Sequence, residues 1–121
     1  MKFSNLFKKK NVIYKPNDVG SFYNKNHDAF IKVYGEVIQA FRTNNLDTIL
    51  NYQAEQMGLK PEHRVLDAGC GVCGPARYFA KNIGCKIEAV SISEKQVIIS
   101  NEHIKNEQLE AKITAHQYDY H

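Results

Sequence analysis

Residues 65–80, VLDAGCGVCGPARYFA, constrain the fold more than any other stretch of the chain. They read as one buried strand, one glycine turn and one helix. Val65 to Ala68 form a short, mostly apolar run, as expected of a parallel strand covered on both faces. Gly69, Gly71 and Gly74 stand in the G-x-G-x-x-G spacing. Without side chains they permit a tight turn, close approach of a ligand to the backbone, and close packing of helix on strand. Pro75 suits a first helical turn, where its missing N–H costs nothing. Ala76, Phe79, Ala80 and Ile83 follow at helical spacing, and Gly84 is a natural stop.

The glycine spacing alone does not say what is bound. A dinucleotide site needs helix N-terminal amides aimed at a pyrophosphate, and Pro75 deletes one of them. Asp67 lies at the carboxyl end of the strand, where open α/β sheets bind ligands. A carboxylate there repels phosphate and attracts an amine. The segment Leu66-Asp67-Ala68-Gly69-Cys70-Gly71-Val72-Cys73-Gly74 resembles the first motif of class I S-adenosylmethionine-dependent methyltransferases. The continuation Gly74-Pro75-Ala76-Arg77 is similar to the sterol, tocopherol and small-molecule branch of that class.

With 121 residues, 43% of them hydrophobic, the chain is sized for one domain with a modest core. A net charge of +3 gives no argument for nucleic acid. Lys8 to Lys10 are the only dense basic run and read as a solvated tail. No apolar stretch approaches the roughly 18 residues of a membrane span, and residues 1–8 lack the apolar core of a signal peptide. Three cysteines in or next to the glycine segment do not look like a disulfide framework. A reducing cytoplasm is the expected compartment.

In chain order, residues 1–26 show no sustained period and read as an extended or turn-rich N-terminal extension, with Phe22 and Tyr23 as anchors. Residues 27–60 read as a helical lid segment. Its first helix spans 27–42 on the spacing of Ala29, Phe30, Val33, Tyr34, Val37, Ile38 and Phe41. In its second, capped by Asn44 or Asn45, Leu46, Ile49, Leu50, Ala54 and Met57 make the inward stripe. Gly58 ends that helix. Residues 61–121 carry the strand, turn and helix described above. A second strand at 86–92 follows, then a helix opened by the capping box Ser93-Glu94-Lys95-Gln96 and reaching about Gln108, then a third strand at 111–118. The order β-α-β-α-β is one mononucleotide-binding half of a doubly wound sheet. Right-handed crossovers give the strand order 3-2-1, with the first strand at an edge.

The resemblance implies an α/β, Rossmann-like parallel sheet that is the first half of a seven-stranded methyltransferase sheet, so the chain is expected to be a fragment of such a domain. It implies S-adenosyl-L-methionine as cofactor. Asp67, Gly69, Cys70 and Gly71 match the positions that hold its methionyl end. Members of this class commonly end the second strand with an acidic residue on the ribose. Here Glu88 falls mid-strand and Ser91 stands at the matching position. The run Val90-Ser91-Ile92-Ser93-Glu94-Lys95-Gln96 is similar instead to cyclopropane synthases and sterol methyltransferases. It assigns Ser91 and Gln96 to the ribose and Ile92 to the adenine. Asp119 and the backbone of Tyr120 match the adenine-binding positions. Tyr23 and Tyr34 resemble aromatics laid over the cofactor.

Plainer readings stand beside these. Gln96 can close the capping box, Ile92 can be core, and Tyr34 can be helix packing. Cys70 and Cys73 form a C-x-x-C, which suggests a thiol redox pair or half a zinc site, yet both are explained as small residues in the turn. No metal is expected. His116 and His121 could stand near the site or be merely solvated. The implied chemistry is transfer of a methyl group to a small-molecule or lipid-like acceptor. Its general base is expected on the lid or on the second half of the domain, so no catalytic residue is named. Alternatives are a non-catalytic nucleotide-cofactor-binding or assembly module, and an NAD-dependent oxidoreductase, against which Pro75 and Ser91 speak. An interior-type strand at an edge, with an apolar face left open, is expected to make the chain self-associate, swap elements or be poorly stable, and such a fragment is expected to lack methyl-transfer activity of its own.

Overall fold

A computed structural model describes residues 16–34 and 45–119. Helix α1 spans Pro16–Tyr34 and α2 spans Leu46–Met57. Strand β1 (Arg64–Ala68) leads through the glycine turn to α3 (Gly74–Asn82). Then come β2 (Lys86–Ser91), α4 (Glu94–Asn106) and β3 (Ile113–Gln117). The three strands are parallel in the order β1-β2-β3, with β1 at an edge as expected.

Register makes the sheet two-sided. Val65, Ile87 and Ile113 align across it, as do Asp67, Ala89 and Ala115. Ile87, Ala89, Ile113 and Ala115 are buried, together with Ala76, Phe79 and Ala80 of α3 and Ile104 of α4. The opposite face differs from the expected apolar patch. Leu66 is 68% exposed there, but it lies beside Glu88, whose carboxylate is 3.0 Å from His116 Nε2 and 3.9 Å from Arg64. Period-two alternation therefore separates a packed face from a charged one.

Local chemistry sets the helix ends. Asn45 accepts the Thr48 amide at 3.1 Å to open α2, and Gly58, at φ +58, closes it in the left-handed conformation. Within α2 only part of the expected stripe is buried. Leu50 and Ala54 point inward, whereas Leu46 and Met57 are exposed. In α4 the Ser93 hydroxyl accepts the Gln96 amide at 3.3 Å, as a capping box requires. The reciprocal half is not formed, because the Gln96 side chain turns to Ser91 and the Ser93 amide donates to the Ser91 hydroxyl.

The N-terminal reading needs the largest correction. Residues 16–26 are helical, not extended, and form the first half of α1. Pro16 stands at the helix start and Asp18 in its first turn, both favourable there. Among the described side chains of α1, Gly20 and His27 are buried and Val19, Tyr23, Asn24 and Ile31 are half-buried, a face that mixes polar and apolar residues. The expected continuation of this helix over residues 35–42 lies outside the described residues.

Candidate functional site

The glycine turn is closed by β2. The amides of Gly69 and Cys70 both donate to the Val90 carbonyl, at 2.9 and 3.0 Å. Gly69 and Gly71 take φ of +82 and +56, where a β-carbon is disfavoured. The turn therefore sits directly against the carboxyl end of β2, and the expected methionyl and ribose positions become neighbours. Asp67, half-buried on β1, lines a groove of about 630 Å³ with Gly69, Cys70 and Gly71. Burial raises its pKa above the ordinary aspartate range, and among the described residues it pairs with no cation.

At the head of β2, Ser91 is buried. Its hydroxyl stands 2.9 Å from the Gln96 side-chain oxygen, and its carbonyl accepts the Tyr118 amide at 3.0 Å. That last bond continues the sheet beyond β3 and carries the chain to Asp119. Ile92 and Asp119, with Gly20, Asn24 and Gln117, line a second cavity of about 560 Å³. Tyr120 and His121 lie outside the described residues, as does the Tyr34 side chain. Of the candidate residues, Asp67, Gly69, Cys70, Gly71, Ser91, Ile92, Gln96 and Asp119 thus gather along one edge of the sheet.

Helix α1 adds contacts that no motif signalled. The Asn24 side-chain oxygen accepts from the Ser93 hydroxyl and, at 3.3 Å, from the Lys95 amide. Lys95 Nζ reaches Asp28 at 3.0 Å. A β-carbon at Gly20 would stand 3.2 Å from the Ile92 carbonyl oxygen, a tight contact that any larger residue would relieve only by moving α1 or the loop by a few tenths of an ångström. Tyr23 is half-buried on the same helix. His116 is paired with Glu88 on the open face of the sheet.

Two thiols lie beneath the turn. The Cys70 thiol donates to the Gly71 carbonyl at 3.6 Å, and its neighbourhood with Cys73 pushes the Cys70 thiol up and holds the Cys73 thiol down. No cluster of three or more His, Cys, Asp or Glu side chains among the described residues could hold a metal ion. No helix among them is long and apolar enough to cross a membrane.

Comparison with known proteins places the chain among relatives of the same fold. The profile of the family described as mycolic acid cyclopropane synthetase matches residues 21–121. Geranyl diphosphate 2-C-methyltransferase of Saccharopolyspora erythraea is 36% identical over 80 residues, covering 62% of this chain and 28% of that protein. The chain therefore spans little more than a quarter of the length of that relative. Among solved structures, the cyclase SpnF superposes with a TM-score of 0.76 at 23% identity, covering 88% of this chain and 43% of SpnF. A geranyl diphosphate methyltransferase in complex with SAM gives 0.56 at 22% identity, covering 60% and 29% of the two chains. At these identities the structures establish the shared fold.

Proposed function

The chain belongs to the mycolic acid cyclopropane synthetase family, and from that membership we propose that its strand ends bind S-adenosylmethionine for methyl transfer to a small, lipid-like acceptor. The observation that carries this reading is Asp67, a half-buried carboxylate beside a glycine turn, raised in pKa by burial and without a cation among the described residues. Such a group fits a ligand ammonium.

The residues present suit the rest of the cofactor. Gly69 and Gly71 leave the turn backbone bare for the methionyl end, and space is open where a β-carbon of Gly71 would stand. Ser91 and Gln96 offer a hydroxyl and an amide to the ribose. Ile92 and Asp119 line one cavity, an aliphatic side chain and a carboxylate that together suit a purine. Helix α1 contributes Gly20 and Asn24 to the wall of that cavity. When bound, S-adenosylmethionine supplies an electrophilic methyl group. The role of these side chains is to bind and orient, which is where most of the rate of such a transfer arises.

The relative named for geranyl diphosphate supports an isoprenoid-like acceptor. The likeness to SpnF, a cyclase, shows that this fold also carries other activities. Three free cysteines suit a reducing compartment such as the cytoplasm. The free edge of β1, which pairs only with β2 among the described residues, favours edge-to-edge pairing with a second copy. Light scattering tests this, and a strictly monomeric chain contradicts it. For the cofactor, calorimetric titration with S-adenosylmethionine and with NAD is decisive. Heat with the first and none with the second supports the reading, and binding of NAD alone or of neither contradicts it.

A further inference from the structure

We propose that Cys70 and Cys73 form a reactive dithiol, a modification site at which peroxide or a small organic disulfide closes an intramolecular disulfide across the glycine turn. The backbone already holds the two residues in reach. The Cys73 amide donates to the Cys70 carbonyl at 2.9 Å, a hydrogen-bonded four-residue turn. Such a turn places its outer Cα atoms within about 7 Å. A disulfide spans Cα separations of about 4.4–6.8 Å. Both side chains are buried in the same core cluster beneath the turn.

Cys73 occupies an unusual position. It caps α3 at φ +61, a left-handed conformation that favours glycine, and it is wholly buried there. A β-carbon at this position costs on the order of 1 kcal/mol or more, so a reason for carrying cysteine is expected. Its surroundings supply one. The neighbouring Cys70 holds its thiol below the usual range; the Arg77 charge acts in the same direction, and burial and the Asp67 carboxylate oppose them. The Ser100 hydroxyl donates to the Gly71 carbonyl at 3.2 Å, which ties α4 to the same turn. Cys73 is thus the nucleophilic partner and Cys70 the resolving one. Cys70 lines the groove beside β1, which gives a small oxidant its route to the pair.

With hydrogen peroxide, the Cys73 thiolate attacks one oxygen, the O–O bond breaks, and hydroxide leaves and takes up a proton. The sulfenic acid on Cys73 is then attacked by the Cys70 sulfur, whose proton leaves with the displaced hydroxyl as water. Both thiols are oxidised and the peroxide is reduced to water. A dithiol reductant reverses the change.

Cys85 is the internal comparator. It is also wholly buried, but it precedes β2 whereas Cys70 follows β1, so in a parallel sheet it lies at the opposite end. Burial raises its thiol pKa. The test is to treat the folded chain with hydrogen peroxide, alkylate the remaining thiols and map the products by mass spectrometry. No cofactor is added, so the outcome is independent of the proposed methyl transfer. The expected product has lost two hydrogens between Cys70 and Cys73, is restored by dithiothreitol, and forms at least tenfold faster than in the urea-unfolded chain, while Cys85 stays alkylatable. Cys73→Gly, which suits φ +61 and keeps the turn, should form no such bond. Oxidation of Cys85 as fast as of the pair, sulfinic acid accumulating at Cys73 without a disulfide, or equal rates folded and unfolded would overturn the proposal.

Discussion

The Ser91 hydroxyl and the Gln96 side-chain oxygen stand 2.9 Å apart, joining the last residue of β2 to the first turn of α4. The same hydroxyl accepts the Ser93 amide at 3.2 Å, so one buried atom fixes the loop between strand and helix. That arrangement presents Gln96 toward the sheet edge instead of back onto the helix cap.

Ser91→Ala removes both bonds and leaves the Ser93 amide without its partner. A buried donor left unsatisfied costs about 1–3 kcal/mol. Thermal melting should fall accordingly, and affinity for S-adenosylmethionine should drop about tenfold because Gln96 loses its anchor. Calorimetry on the folded variant checks the second effect, and unchanged affinity would remove Ser91 from the ribose site.

Gly69→Val places a β-branched side chain at φ +82 in the turn held by the Val90 carbonyl. Cofactor binding should fall more than about 100-fold, a loss of roughly 3 kcal/mol. Circular dichroism reports whether the fold survives. Retained affinity in a folded variant would count against the turn as the methionyl cradle.

The glycine turn, β2 and α4 were legible in the sequence because their signals are local. Gly69, Gly71 and Gly74 mark the turn, and Ser93 marks the cap. The docking of α1 was not legible, since it rests on Asn24 reaching Ser93 and Lys95 and on Gly20 packing against Ile92, contacts that no local period signals. Gln96 shows the same limit at atomic scale. Its spacing from Ser93 matches a capping box, but the choice between Ser91 and the Ser93 amide is made by the strand end. Asp119 came from family resemblance; its neighbourhood with Gly20 and Ile92 is a tertiary fact.

Asn24→Ala tests the attachment of α1. The side chain accepts from both Ser93 and Lys95, and its loss should cost about 1 kcal/mol. Hydrogen exchange in α1 should accelerate while β1, β2 and β3 stay protected. Uniform acceleration would show that α1 is not a separable cover.

Asp67 gives a pH signature. Its folded-state pKa is raised by burial, so the stability it contributes is fully present below its unfolded pKa and is lost as pH rises through the folded value. Asp67→Asn should therefore melt higher than the parent chain at neutral pH, with the difference vanishing in acid. The same variant should lose S-adenosylmethionine affinity. In the parent chain that affinity should weaken as pH falls through the raised pKa. Destabilisation by Asp67→Asn at neutral pH would contradict this account.

The central claim is that three separate strand ends form one cofactor cradle. Amide NMR during titration with S-adenosylhomocysteine tests it most directly. The account predicts saturable shifts at residues 67–71, 91–96 and 119, with smaller ones at Gly20 and Asn24, and none on the open face at Glu88 and His116. Saturable shifts centred on that open face, or equal shifts at the same edge with NAD, would contradict it.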